Sequence, residues 1–239
     1  MAVLRLNDIA ANRVCYVQRA KVRWFLNREV KMFELDQSRQ KQLGGALKRL
    51  ARSDCRITSL QFFTDAEVNT LREAANQQEF RQAQGTINYQ GRSTFQDFDV
   101  CFPAPRQGVF DNLATCLESS LWMVGQSMLQ NPFTWQFRLE DFAIQRYPAG
   151  SRGIGIHRDG QRYHHIVIII CLDGKSRLFS CNDRAGACKR AVDDRPGRLV
   201  LLSAPGFSNR DGEDARPLHG VDRVTEGRLS MGFRTAPAI

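Results

Sequence analysis

Residues 144–159, with the sequence IQRYPAGSRGIGIHRD, are the part of this chain from which its fold and chemistry can best be predicted. The pattern predicts two strands joined by a Pro-Ala-Gly turn, the second of which ends in His157 and Asp159. Side chains alternate between the two faces of a strand, so these two residues are expected to point to the same side. An imidazole and a carboxylate at this spacing supply two of the three ligands of a facial metal triad.

The third ligand is expected to be one of the three other histidines. His164 and His165 follow too closely, on what reads as the next strand, and are interpreted as core or surface residues. That leaves His219, which lies nine residues before Arg228. Two histidines and one carboxylate with open coordination positions are typical of non-haem Fe(II) sites that use O2.

These elements resemble the Fe(II)/2-oxoglutarate-dependent dioxygenases, and within that superfamily the layout is similar to the AlkB type. The second AlkB motif is R-x-N-x-T-x-R, and this chain has at those four places Arg228, Ser230, Gly232 and Arg234. Both arginines match, whereas the asparagine and the threonine do not. Tyr147, just before the turn, also resembles the tyrosine that precedes the metal motif in this family. The resemblance covers roughly residues 57–235.

The resemblance implies a role for each matching residue. His157, Asp159 and His219 are expected to bind Fe(II) and to leave positions for 2-oxoglutarate and O2. Arg228 is expected to bind the distal carboxylate of 2-oxoglutarate through two hydrogen bonds, because the planar guanidinium matches a carboxylate. Further candidates for cosubstrate binding are Ser230, Tyr147, Arg234 and Gln145. Ordinary strand polarity explains Ser230 and Gln145 equally well.

Three further side chains are candidates for substrate binding. Arg158 lies between two proposed ligands and is expected to face the other way, where it is either structural or in contact with an acidic or phosphate group. Tyr89 and Phe95 lie in the polar, turn-rich segment 84–105. That segment is predicted to be either a substrate lid or a plain loop anchored by its aromatic residues.

The hydrophobic pattern predicts a mainly β fold with flanking helices. Short strands are expected at about 136–147, 153–157, 164–172, 176–181, 188–192, 198–203 and 228–235, a spacing typical of sandwiches and barrels. Helices are expected over about 37–52, from Thr64 onward and over 110–129. The resemblance implies that the strands form a double-stranded β-helix, the jelly-roll or cupin-like core. We divide the chain into a basic N-terminal extension, residues 1–56, and a dioxygenase domain, residues 57–239.

Charge and composition limit the partners. Residues 1–56 contain 13 Lys and Arg against 5 Asp and Glu, which is most of the net charge of +9. This basic region is either a candidate site for nucleic acid or a solvated surface. No stretch approaches the ~20 apolar residues of a membrane span. Seven cysteines without a C-x-x-C motif favour reduced thiols and therefore a cytoplasmic location.

The sequence therefore predicts a dioxygenase that uses Fe(II), 2-oxoglutarate and O2 to hydroxylate or oxidatively demethylate its substrate. An AlkB-like nucleic-acid dealkylase is one reading. The alternative is a hydroxylase of a small-molecule metabolite or of a protein side chain. A third reading, from a different class, is a non-catalytic barrel that only binds a ligand.

Overall fold

The computed structural model describes residues 33–89 and 91–236, so most of the basic extension lies outside it. Its helices are α1 Gln37–Leu50, α2 Asp65–Asn76 and α3 Val109–Gln126. Its strands are β1 Ile57–Gln61, β2 Arg81–Gln82, β3 Thr86–Tyr89, β4 Arg92–Asp97, β5 Asp99–Cys101, β6 Arg138–Tyr147, β7 Gly153–His157, β8 Ile166–Gly174, β9 Arg177–Cys181, β10 Arg190–Val192, β11 Arg198–Ser203, β12 Leu218–Asp222 and β13 Arg228–Ala236.

The strands form two antiparallel sheets. One has seven strands in the order β1-β11-β8-β13-β6-β5-β2, and the other has six in the order β10-β9-β12-β7-β4-β3. Buried side chains from both sheets pack together between them, among them Tyr147 and Val167 from the first and Ile154 and Leu178 from the second. Because strands that are adjacent in sequence often lie in opposite sheets, this is the double-stranded β-helix that was predicted.

The helices cover one side of the seven-stranded sheet. Thr64 begins α2 with the predicted capping box, in which its side chain and that of Glu67 each accept a hydrogen bond from the backbone of the other residue. Helix α1 buries Leu43, Leu47 and Leu50 completely, and it packs against β1 and α3. This helix precedes residue 56, so part of the sequence assigned to the extension packs onto the barrel. None of the helices in the described residues is long and apolar enough to cross a membrane.

Three parts of the fold differ from the expected pattern. Segment 84–105 contains three strands and not a loop, because polar side chains there alternate on a partly exposed sheet that carries little hydrophobic signal. Strand β8 begins at Ile166 and not at His164, since His165 has a left-handed backbone conformation with φ of 58°. The strand that carries His219, β12, was not predicted either.

Candidate metal and cosubstrate site

His157 and His219 face each other across two neighbouring strands. Strands β7 and β12 pair so that these two residues are partners in the register, and their ring centroids lie 4.3 Å apart. Each ring places Nδ1 next to a backbone carbonyl oxygen, at 2.8 Å from Gly155 and 3.1 Å from Pro217. A carbonyl only accepts, so both Nδ1 atoms must donate, which leaves Nε2 as the nitrogen of each ring that could bind a metal ion. Such hydrogen bonds typically orient histidine ligands of metals.

Asp159 reaches the two histidines in a different way from the one predicted. Strand β7 ends at His157, so strand alternation does not place the carboxylate. The Arg216 guanidinium donates to the Asp159 carbonyl at 2.7 Å, and Arg234 Nε donates to Asp159 Oδ1 at 3.0 Å. The other oxygen, Oδ2, lies 3.5 Å from His219 Nε2. Two arginines that are distant in sequence therefore hold Asp159, Arg216 at its backbone carbonyl and Arg234 at its carboxylate.

The protonation states of His157 and Asp159 favour the binding of a metal ion. Desolvation, followed by the proximity of His219, lowers the pKa of His157 to about 4, so its imidazole is neutral at pH 7. Burial alone would raise the pKa of Asp159, but its position beside the Arg234 guanidinium and the two imidazole rings outweighs this effect and lowers the pKa to about 2. Neutral imidazoles and an ionised carboxylate are the forms that bind a metal ion.

The three side chains fit a divalent transition metal in donor chemistry but need a small adjustment in position. Within residues 33–89 and 91–236, no three His, Cys, Asp or Glu side chains are already arranged to hold a metal ion. Neighbouring ligands at ~2.1 Å from an octahedral metal lie about 3 Å apart, and the separation of Asp159 Oδ2 from His219 Nε2 is 3.5 Å. A small rotation of the Asp159 or His219 side chain closes such a gap. Since Arg234 already binds Oδ1, Asp159 offers Oδ2 alone.

Arg228 is buried near the opposite end of the site, and it already has a carboxylate partner. On β13 it pairs in register with Tyr147 of β6. Its Nη1 contacts the Asp194 carboxylate very closely and Ser176 Oγ at 3.0 Å, while Nε donates to Ser230 Oγ at 3.3 Å. Nη2 makes no hydrogen bond to any described residue. Asp194 and the two serines therefore occupy Nη1 and Nε in this structure, and the binding of the 2-oxoglutarate carboxylate by Arg228 stays a prediction.

One cavity of about 810 Å³ connects these groups. It is lined by the three proposed metal ligands and by all five candidates for cosubstrate binding, Arg228, Ser230, Tyr147, Arg234 and Gln145. The Tyr147 hydroxyl donates to Gln145 Oε1 at 3.3 Å, and burial raises the pKa of this tyrosine, which keeps it a hydrogen-bond donor. The structure brings these residues together, and their roles stay predictions.

The three candidates for substrate binding have different positions. Arg158 lines the cavity, because strand geometry ends at His157 and no longer turns its side chain away. Phe95 does not line it: alternate residues of β4 do, and Phe95 lies on the other face, against Gly155 and 4.6 Å beneath the Arg152 guanidinium. Strand β3 ends at Tyr89, whose side chain lies outside the described part of the chain.

Several site residues were missed from the sequence. Asp141, on β6, bonds Arg234 at 3.3 Å, the Tyr163 hydroxyl at 2.8 Å and Arg162 at 2.9 Å. Glu213 forms an ion pair with Arg92, and Asp194 forms one with Arg228. Both arginines line the cavity. No local sequence pattern singled out any of these carboxylates.

Comparisons with known proteins support the fold. No family model matches the chain. A Pseudomonas putida prolyl-4-hydroxylase aligns with a TM-score of 0.55 and 17% identity, over 82% of this chain and 99% of that one. A Trichoplax adhaerens prolyl hydroxylase, in complex with a hypoxia inducible factor peptide, aligns with a TM-score of 0.58 and 14% identity, over 84% and 91%. An oxidoreductase of the 2OG-Fe(II) oxygenase family from Burkholderia pseudomallei aligns with a TM-score of 0.52 and 11% identity, over 85% and 93%. At these identities the likeness shows a shared fold.

One curated protein also matches in sequence. It is the cyclohexadienyl dehydratase of Pseudomonas aeruginosa, 27% identical over 106 residues. The match spans 43% of this chain and 40% of the dehydratase, less than half of either. It therefore shows neither a family nor a reaction for this chain.

Proposed function

We propose that this chain is an Fe(II)- and 2-oxoglutarate-dependent oxygenase that hydroxylates a C–H bond of a small molecule or a protein side chain. The observation that supports this most is the pairing of His157 with His219, each with Nδ1 bonded to a backbone carbonyl oxygen, beside the ionised Asp159. These groups share one cavity with Arg228, in a fold common to 2-oxoglutarate oxygenases.

Each residue has a defined task in this proposal. The two Nε2 atoms and Asp159 Oδ2 would hold the metal, while Arg234 keeps the carboxylate ionised and oriented. Arg228 would bind the distal carboxylate of 2-oxoglutarate through Nη2, with the Tyr147 hydroxyl nearby on the paired strand. When bound, iron and 2-oxoglutarate supply the oxidising power to insert one atom of O2 into a C–H bond, with formation of succinate and CO2. The buried walls limit the access of water to this chemistry.

Two observations favour hydroxylation over nucleic-acid dealkylation, the solved structures that share the fold and the residues of the second motif. Two of the solved structures that share the fold are prolyl hydroxylases. The asparagine and threonine of the AlkB motif are absent, with Ser230 and Gly232 in their places. Dealkylation of nucleic acid and a cytoplasmic location stay predictions of the sequence, as does the two-part division at residue 56.

The decisive experiment measures binding and turnover separately. The full chain is loaded with Fe(II) without oxygen, and the binding of iron and 2-oxoglutarate is measured by calorimetry. O2 is then admitted, and succinate is quantified. We expect both ligands to bind and slow formation of succinate, with iron binding and succinate formation lost in Asp159→Ala.

Asp54→Ala is the matched control, because this carboxylate is solvent-exposed and pairs only with the exposed Arg52 among the described residues. It should behave as the unmodified chain does. Absence of iron binding by the unmodified chain would contradict the proposal and would instead favour a non-catalytic barrel.

A further inference from the structure

The positive charge of the domain is concentrated in the cavity. Residues 57–239 hold 21 Lys and Arg against 20 Asp and Glu, because 13 of the 34 cations and 5 of the 25 anions precede them. Within the described residues, eight arginines line the cavity, whereas its lining contains only two carboxylates, those of Asp141 and Asp159. Concave walls with one sign of charge raise the local concentration of oppositely charged ligands.

One wall of the cavity is balanced internally. Arg162 and Arg234 both bond Asp141, and Arg234 also bonds Asp159. Two guanidinium groups therefore face two carboxylates, at separations between 2.9 and 3.3 Å. This wall has no excess charge to offer a ligand.

The opposite wall has more cations than anions. Arg92 on β4 contacts Glu213 Oε1 at 2.5 Å, and Arg158 contacts the other oxygen, Oε2, at 3.3 Å. Two guanidinium groups thus share one carboxylate, and the exposed Arg184 lines the same cavity. Glu213 is itself 44% exposed and comes from a loop, so its carboxylate can leave at little cost. An excess of positive charge remains directly beside the proposed metal ligands, since Arg158 lies between His157 and Asp159 in the chain.

We propose that the substrate carries a carboxylate or phosphate group that binds between Arg92 and Arg158, in the position that the Glu213 carboxylate occupies. The inference rests on the proposed function, because it names the chemical class of the molecule to be hydroxylated. Anchored there, the anionic group lies next to the metal ligands and orients the rest of the substrate in the cavity. Glu213 acts as an internal competitor that moves aside.

The cavity fits a small anionic molecule better than a polymer. Its volume of about 810 Å³ lies within the range of small-molecule sites, about 300–1,000 Å³. Its mouth also has an apolar part, where Ile87 and Phe102 are each 40% exposed. A substrate with an apolar body and one anionic end satisfies both parts. The excess charge faces into a concave site and not along an open groove.

Phosphate binding to the metal-free full chain tests the proposal. The probe is inorganic phosphate at constant ionic strength, measured by calorimetry. Glu213→Gln removes the competing carboxylate and should tighten phosphate binding about fivefold, the effect of one unit charge at ~4 Å in water. Arg92→Gln should weaken it by a similar factor. Arg195→Gln is the control, since this side chain is 80% exposed and does not line the cavity, and it should change nothing.

The same variants separate the possible outcomes. Unchanged or weaker phosphate binding by Glu213→Gln would overturn the proposal, as would an equal loss in Arg92→Gln and Arg195→Gln. A single-stranded oligonucleotide that responds to Glu213→Gln more strongly than phosphate does would assign the wall to nucleic acid and also overturn it. Neither arm requires iron, 2-oxoglutarate or O2. A chain that fails to form succinate but shows the expected phosphate response therefore refutes the proposed reaction and leaves the anion site standing.

Discussion

Replacing Asp194 by asparagine should destabilise the protein strongly and at the same time strengthen its response to 2-oxoglutarate. The Arg228 and Asp194 side chains are only 1% and 9% exposed, and they are in direct contact. Removing one partner of a buried ion pair leaves the other charge uncompensated and typically costs about 3–5 kcal/mol. We expect the free energy of unfolding in urea to fall by that amount in Asp194→Asn.

The distal carboxylate of 2-oxoglutarate should replace the missing charge. In the unmodified chain, two carboxylates would share one guanidinium, and their repulsion at ~4 Å amounts to about 1 kcal/mol even in water. The variant lacks this repulsion, so its dissociation constant for 2-oxoglutarate should be lower by at least about fivefold. At a fixed 2-oxoglutarate concentration the cosubstrate should therefore add more stability to the variant than to the unmodified chain.

The assay is urea unfolding of metal-free protein with and without 2-oxoglutarate. Asp193→Asn is the matched control, because this neighbouring carboxylate is 39% exposed and pairs with Arg195 and Arg198 near the surface. Exposed pairs contribute only about 0–1 kcal/mol. The reasoning fails if Asp194→Asn costs no more than the control, or if 2-oxoglutarate stabilises the variant and the unmodified chain equally.

Three further predictions concern the surroundings of the site. Gly153→Ala should prevent folding or lower the free energy of unfolding by more than about 4 kcal/mol, because the new Cβ would lie 1.9 Å from a backbone oxygen of β12. Gly150 has a similar positive φ but open space around it, so Gly150→Ala should lower the free energy by only about 1 kcal/mol. Thermal unfolding of the two variants measures the difference. Burial lowers the pKa of His165 from 6.5 to about 4, so the unfolded chain binds a proton more readily than the folded chain does. Stability should therefore fall as the pH drops from 6.5 towards 4. In unfolding measured against pH, His165→Gln should flatten that slope. Arg234→Gln should weaken metal binding about 10- to 100-fold, as loss of a partner that orients a ligand does, and a metal titration in which affinity is unchanged would show that Asp159 needs no such partner.

The sequence, with the family resemblance that it carries, predicted the fold class, and it singled out three residues whose role as metal ligands stays a prediction. Strand periodicity and turn residues predicted a mainly β barrel, which the structure confirms, and the capping box of α2 was predicted correctly. The H-x-D spacing and the scarcity of histidines pointed to His157, Asp159 and His219, which the structure places together. These signals either involve residues close together in the sequence or depend on residue types that are rare in this chain. Such signals can be recognised without the structure.

The tertiary structure alone decided which charges meet. Arg228 bonds Asp194, which is 34 residues away in the sequence. Arg234 bonds Asp159 across 75 residues, and Arg92 bonds Glu213 across 121 residues. No periodicity connects such positions, and Asp and Glu are too common among surface residues for their type to mark a partner. The pairing of strands from two sheets brings these groups within hydrogen-bond distance. It therefore determines both the accessibility of Arg228 and the excess of positive charge beside the proposed metal ligands.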